Sequence, residues 1–473
     1  MAHSEDMARD DVFHKRETIF FVIYLMVFFA VAATIALMQP HADTPPLYGN
    51  PPDEPARYLV SRYICRYGSL PNGFDPEVRI ENYGISYAFY TMLPYIIQGF
   101  AMRFVNLFTE SELILLYTAR FVNVLLGTAM AALVYGIGDR VFKDARFKWL
   151  FCLLTMYLPQ SLFLHTYVNT DSMALFSVAL IAYALVRAYG EGFTVKNCLM
   201  LSAGIIVCAL SYYNAYGAIL VSIFLFLGYF CKKENGKLRY AGREMLRRGC
   251  LIVSVVLLGI GWYFIRNAIL YDGDFLGLNS LIKCGLMYGN PPYAYTYAAR
   301  GLPLLQMFQE NPFFSGLLKS FIAAYGSMAI YGNPWIYRFY KIVFAVGLLG
   351  GLLTRRKTGR DQWGRKLLIH ANMLLCILIP LFLCIYYAYT MDYQYQGRYV
   401  MPGLLPFMYF VTAGIEKWAG FDWLPRRAEA AKPLLKKLSN IACYATMAVV
   451  VTVLLWMVFG YALPVYMEIG YVL

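Results

Sequence analysis

Ile19–Leu37 reads IFFVIYLMVFFAVAATIAL, a run with no charged side chain. Crossing the hydrocarbon core of a bilayer as an α-helix takes roughly 20 apolar residues, so this stretch reads as a membrane span. Leu251–Ile265 and Ile441–Tyr461 repeat the pattern. Over all 473 residues, 60% are hydrophobic and 15% charged, with a mean hydropathy of +0.51. Soluble domains carry about 25% charged residues, which excludes a soluble globular protein. Transmembrane β-barrel strands alternate apolar and polar residues, and these runs do not. The sequence therefore predicts an all-α polytopic membrane protein. No small-x-small cleavage site follows Ile19–Leu37 at the distance a secretory signal needs, so the run is expected to be an uncleaved first span.

The basic residues orient the chain. Clusters fall at Arg140–Lys148, Lys232–Arg248, Arg355–Lys366 and Lys417–Lys437, and together with the N-terminal segment they hold most of the 41 Lys and Arg residues. Cytoplasmic loops are enriched in these residues; that accounts for the net charge of +13 without a nucleic-acid partner. A cytoplasmic N-terminus and about 11 spans reconcile the clusters: about 18–38, 118–138, 149–167, 172–189, 197–212, 214–231, 249–270, 339–354, 367–388, 399–417 and 439–461. Residues 1–473 then form a single transmembrane domain with two large outer loops, 40–117 and 271–338. The fairly apolar Tyr87–Phe108 becomes a juxtamembrane or re-entrant element. Transporters usually bind at the bilayer midplane between short loops, so two large aromatic-rich outer loops point to chemistry at the outer surface. Cys65 and Cys284 both fall outside, where a disulfide between the loops would require Cα atoms within about 7 Å.

Candidate chemistry begins at Pro51-Pro52-Asp53-Glu54-Pro55. Proline is favoured at the first position of a helix, so Pro55 is expected to open one that runs to about Tyr67 and stops at Gly68. Asp53 and Glu54 then serve either as helix caps or as a general base at the membrane surface. Asp171, in the short turn His165–Ser172, is either a simple cap of the next span or part of a second acidic site that converges with the Asp53 turn on the same side. Arg120, Arg266, Arg338 and Arg398 map to the outer ends of spans. Each alone reads as snorkelling; four at one level suit an anionic group such as a lipid phosphate, which Arg binds bidentately. Tyr386–Tyr399 supplies either interfacial anchors or a surface for stacking sugar rings. With five His and no paired spacing, a zinc site is not expected. P-loop, dinucleotide and G-x-S-x-G motifs are absent.

Pro52-Asp53-Glu54-Pro55-Ala56, Asn169-Thr170-Asp171, Trp262–Asn267, Lys319–Tyr331 and Gln396-Gly397-Arg398-Tyr399, in this order, resemble a bacterial family of predicted membrane glycosyltransferases and, more broadly, the GT-C superfamily. In that family a His often follows the Pro-Asp-Glu-Pro-Ala segment, where this chain has Arg57. The resemblance implies a GT-C-like helical bundle with juxtamembrane helices in the outer loops. It also implies transfer of a sugar from a polyprenyl-phosphate carrier to a glycan, lipid or protein acceptor on the extracytoplasmic face of the plasma membrane. Asp53 would be the base, with Glu54 as second choice, and Asp171 would orient the base, the acceptor or an optional divalent metal. Arg266 and Arg398, with Arg120, Arg338 and Tyr399 beside them, would hold the donor phosphate. Two other classes share these features: a transporter or flippase of an envelope glycolipid, and an inactive scaffold. Only the transferase needs an ionised Asp53 for group transfer.

Overall fold

The computed structural model describes residues 2–40, 50–234, 237–290, 295–353, 360–421 and 430–470. The prolines at 45–46 and the basic residues at 355–357 and 426–427 lie outside the described residues. The first apolar run sits in α1 (Ala2–Met38). The first loop then folds as α2 (Glu54–Tyr67) and α3 (Leu93–Val105). Five helices follow: α4 (Glu112–Val141), α5 (Ala145–Met156), α6 (Pro159–Phe163), α7 (Asp171–Glu191) and α8 (Val195–Ala209). Next come α9 (Tyr216–Phe230) and a two-stranded antiparallel hairpin, β1 (Cys231–Glu234) and β2 (Lys237–Tyr240), with Cys231 opposite Tyr240. After α10 (Gly242–Leu270), the second loop carries α11 (Leu278–Tyr288), α12 (Leu304–Glu310) and α13 (Phe313–Ile322). The chain finishes with α14 (Pro334–Leu353), α15 (Arg360–Thr390), α16 (Leu404–Gly420), α17 (Lys432–Leu455) and α18 (Leu463–Gly470), the last two joined by a π-helical segment, Trp456–Ala462.

Among the described residues, eight helical segments are long and apolar enough to cross a membrane: Arg16–Met38, Glu112–Val141, Asp171–Glu191, Tyr213–Phe230, Gly242–Leu270, Pro334–Leu352, Gly364–Thr390 and Lys432–Ile469. The 11 expected spans are thus found as eight full-length segments and three shorter or interrupted ones. The span expected at 149–167 is broken between α5 and α6, where Pro159 opens a new short helix. The span at 197–212 is the 15-residue α8. The span at 399–417 begins as a 3-10 turn, Gly397–Gly403, with Pro402 inside it, and only then becomes the 17-residue α16. Proline removes a backbone donor and disturbs an α-helix, which accounts for the breaks at Pro159 and Pro402.

Close packing holds the bundle together. Gly347 of α14 and Gly414 of α16 face each other so tightly that a Cβ on either would strike the partner's backbone; small residues permit this approach where lipid offers no hydrophobic drive between helices. The main core joins α1, α4, α5, α7, α16 and α17. In α3, Tyr95, Gln98 and Met102 are buried against the body while Ile97, Phe100 and Phe104 are exposed. Thirteen residues make a helix of about 20 Å, too short to cross a 30 Å core. Cys65 and Cys284 are free thiols in different apolar clusters, so they do not form a disulfide with each other.

Candidate functional site

Pro55 occupies the first turn of α2, and the helix stops at Gly68, whose N–H donates to the Ile64 carbonyl at 2.9 Å. Asp53 precedes this helix with φ +59°, a left-handed conformation that is strained for a residue with a Cβ. Its side chain makes no capping bond; the carboxylate turns instead toward the far end of the sequence. Arg398 Nη2 donates to Asp53 Oδ2 at 2.6 Å, and Arg57 Nη2 lies 3.8 Å from the same oxygen. The Asp53 side chain is 32% exposed, whereas that of Arg398 is 2%.

Arg398 reaches this position because its 3-10 turn lies directly on α13. Gly397 N donates to Ser320 Oγ at 2.8 Å, and a Cβ at Gly397 would fall on the Phe321 backbone. The guanidinium also donates to Tyr399 Oη at 3.3 Å, and that hydroxyl donates to Gln394 Oε1 at 2.7 Å. Gln394 Nε2 in turn donates to Asp392 Oδ2. A chain of bonds thus runs from Asp53 through Arg398, Tyr399 and Gln394 to a second carboxylate, Asp392.

Arg57 lies one turn along α2 from Asp53. It donates to Thr170 Oγ1 at 2.8 Å and to Tyr95 Oη at 3.2 Å, and its guanidinium sits 4.5 Å from the centroid of the Tyr87 ring. Asp171 begins α7 immediately after Thr170 and is 4% exposed. Its carboxylate acts electrostatically on both Arg57 and Arg398. Buried atoms here lack partners: Arg57 Nε, Arg398 Nε and Nη1, Asp171 Oδ2 and the Tyr167 hydroxyl. Unsatisfied buried polar groups in a folded protein call for a reason, and so many in one cluster leave unspent hydrogen-bonding capacity beside Asp53.

Burial by itself would raise the Asp53 carboxyl. The Arg398 and Arg57 charges, with hydrogen bonds from Arg398 and Tyr87, outweigh it and hold the group below the usual carboxylate range. Asp392 is displaced the other way, upward, mainly by burial.

Glu54, adjacent to Asp53, is placed quite differently. Its carboxylate is 1% exposed and accepts from Arg120 Nε at 2.9 Å and Nη2 at 2.5 Å, and from Val168 N at 2.8 Å. Arg120 spends its remaining donors on the carbonyls of Ala36, Gln39 and Pro40. Every donor is used, so neither residue has a free group for acceptor or phosphate. Arg266 also stands apart: its guanidinium donates to the carbonyls of Leu70 and Pro71 and to Asn267 Oδ1, holding the first loop on α10. Arg338 is exposed on α14. Of the expected clamp, only Arg398 and Tyr399 meet Asp53 and Asp171.

Arg57, Thr170 and Asp392 were not among the expected site residues. Asp392 lies inside the tyrosine-rich run 386–399, where it is the single acidic residue, a signal that the belt-like composition hid. Among the described residues no three His, Cys, Asp or Glu side chains group to hold a metal ion. Asp53 has guanidiniums where an ion would need further oxygen ligands.

Three crystal structures of the oligosaccharyltransferase of Archaeoglobus fulgidus are similar to this chain. The apo form matches with a TM-score of 0.55 at 11% identity, over 93% of this chain and 56% of that one. The form tethered with an acceptor peptide matches with a TM-score of 0.54 at 13% identity, over 93% and 55%. The complex with Zn and sulfate gives 0.53 at 13% identity, over 92% and 53%. This chain therefore spans little more than half the length of that enzyme, and its helices resemble the transmembrane region of a GT-C fold. No curated protein matches the sequence. The family model described as "Predicted membrane protein (DUF2142)" matches residues 76–408, which is most of the chain and takes in Arg57's partners Tyr87, Tyr95 and Thr170 together with Asp171, Asp392, Arg398 and Tyr399. The chain belongs to this DUF2142 family of membrane proteins.

Proposed function

We propose that this protein is a membrane glycosyltransferase that moves a sugar from a polyprenyl-phosphate carrier to an acceptor hydroxyl on the extracytoplasmic face. The observation that carries this reading is the half-used arginine: Arg398 is buried, gives one nitrogen to Asp53, and has Nε and Nη1 unpartnered. With Arg57 Nε also unpartnered, the pair offers donors for a phosphate, to which charge-assisted hydrogen bonds are strong. Asp53 is the base. It takes the proton of the acceptor hydroxyl; the oxygen bonds to the anomeric carbon; and the bond from that carbon to the phosphate oxygen breaks, its electrons leaving with the lipid phosphate. Arg398 and Arg57 stabilise the charge that develops there. Asp171 orients the acceptor. Glu54 and Arg120 serve the frame rather than the reaction, and Arg266 holds the first loop.

Donor binding also prepares the base. A phosphate that draws Arg398 toward itself weakens the hold on Asp53, so the carboxylate becomes more basic when the donor is in place.

For topology, the basic loops put residues 40–117 and 271–338 outside, with α3 lying along the membrane surface on Ile97, Phe100 and Phe104. The test is a transfer assay in reconstituted vesicles with a polyprenyl-phosphate sugar, comparing wild type with Asp53→Asn. Product from wild type and little from the variant supports the reading. Movement of the lipid-linked sugar without any transfer, equal in both, would replace it with the flippase alternative.

A further inference from the structure

A second cavity lies toward the other end of α7. It has a volume of 680 Å³ and is walled by α4, α7, α9, α15 and α16, with Val178, Ile181, Leu185, Val221 and Leu405 among its apolar lining. Along α7 it extends from Val178 to Glu191, about 20 Å at 1.5 Å per residue. Asp171 and Glu191 are the two ends of that helix, about 30 Å apart by the same rise, close to the thickness of the hydrocarbon core. The mouth of this cavity and the Asp53 cluster therefore belong to opposite faces of the bundle.

The mouth is cationic. Arg140 and Arg187 share the single carboxylate of Glu191: Arg187 Nη2 donates to Oε2 at 2.6 Å and Arg140 Nη2 to Oε1 at 3.4 Å. Arg365 stands over Tyr189, which lines the cavity, at 4.8 Å from its ring centroid and 5.6 Å from that of Tyr229. Among the described residues no carboxylate pairs with it. Three guanidiniums against one carboxylate leave the rim with a net positive charge, and Gly190 at the mouth has open space around it. An inorganic anion would satisfy the rim but not an apolar cavity of this length. An uncharged chain would fill the cavity and leave the rim unanswered.

We propose that this cavity binds an anionic phospholipid, one acyl chain between α7, α9 and α16 and its phosphate at Arg140, Arg187 and Arg365. The site is distinct from the sugar-donor site and stands whether or not transfer activity is found. The experiment offers the full-length protein, in detergent, equal amounts of dioleoylphosphatidylglycerol and dioleoylphosphatidylcholine, and counts retained lipid by native mass spectrometry. Two net charges at a membrane surface correspond to a preference of about thirtyfold for the anionic lipid. Arg365→Gln, at an exposed position, is expected to reduce that preference several-fold. Val221→Trp, which fills the cavity, is expected to lower retention of both lipids. Equal retention of the two lipids by wild type would overturn the proposal. So would an unchanged preference in Arg365→Gln, or displacement of phosphatidylglycerol by uncharged dioleoylglycerol at equal concentration.

Discussion

Asp53 and Glu54 are neighbours in sequence, and each meets a buried arginine from a distant helix or turn, yet the two pairs differ in what they leave unused. The Glu54–Arg120 pair is closed. Its contacts are bidentate, both side chains are at most 1% exposed, and the remaining guanidinium donors end on the carbonyls at the end of α1. The Asp53–Arg398 pair is open: one contact, a carboxylate 32% exposed, and two guanidinium nitrogens without partners. A saturated buried pair fixes geometry, here the junction of α1, α2 and α4. An unsaturated one keeps hydrogen-bonding capacity for something that arrives. Burial alone does not separate the two functions, since both arginines are buried; the count of unspent donors does.

The largest effect that would break this contrast is on turnover. Asp53→Asn preserves shape and a hydrogen-bond acceptor for Arg398 but removes basicity, so sugar transfer is expected to fall by about 10²–10⁴-fold, while the melting temperature changes little. Transfer at the wild-type rate would leave Asp53 as a mere partner of Arg398. The opposite profile is expected for Glu54→Gln. Leaving Arg120 buried without its counter-ion costs about 3–5 kcal/mol, visible as a lower melting temperature in detergent, with the donor KM of the surviving folded fraction unchanged.

A smaller shift is expected in the pH profile. The Asp53 carboxyl is held below its ordinary value by Arg398 and Arg57, so its favourable pairing is complete above the unfolded-state value near ~3.9 and is lost as pH falls through the depressed one. The acid limb of kcat/KM should accordingly lie below about pH 4. Arg398→Gln removes the cation and leaves the burial, so that limb is expected to move to higher pH as the donor KM rises. An unmoved limb would separate Asp53 from the rate. The smallest effect belongs to Asp392, two bonds beyond the Arg398–Tyr399 contact. Asp392→Asn perturbs one hydrogen bond in the relay, worth about 1 kcal/mol, and is expected to lower kcat/KM about fivefold without changing lipid retention. An effect as large as that of Asp53→Asn would place the base at Asp392.

Short-range features of the fold were legible in the chain. Pro55 and Gly68 bound α2 as expected, and Ile19–Leu37 is a spanning segment. The runs at 149–167, 197–212 and 399–417 form shorter or interrupted helices, and hydropathy, which sums composition, did not register the breaks at Pro159 and in Gly397–Gly403. Asp53, Asp171 and Arg398 were identifiable as candidates from charge at the ends of apolar runs, and Tyr399 from the tyrosine run beside Arg398. Arg57 and Asp392 were not, since one looked like an ordinary helical arginine and the other was hidden in a tyrosine belt.

By itself the sequence determined that this is a helical membrane protein with acidic residues at the start of α2 and of α7, because hydropathy, proline and glycine act over one or two turns of chain. Which carboxylate is sealed and which is left open was decided only by tertiary structure. Asp53 precedes α2 in a left-handed conformation while Glu54 is its first residue, so their side chains diverge, one meeting Arg398, 345 residues away, and the other Arg120, 66 residues away. No local pattern encodes which arginine a carboxylate will meet, because the partners come together only when α4 and the turn before α16 pack against the N-terminus of α2.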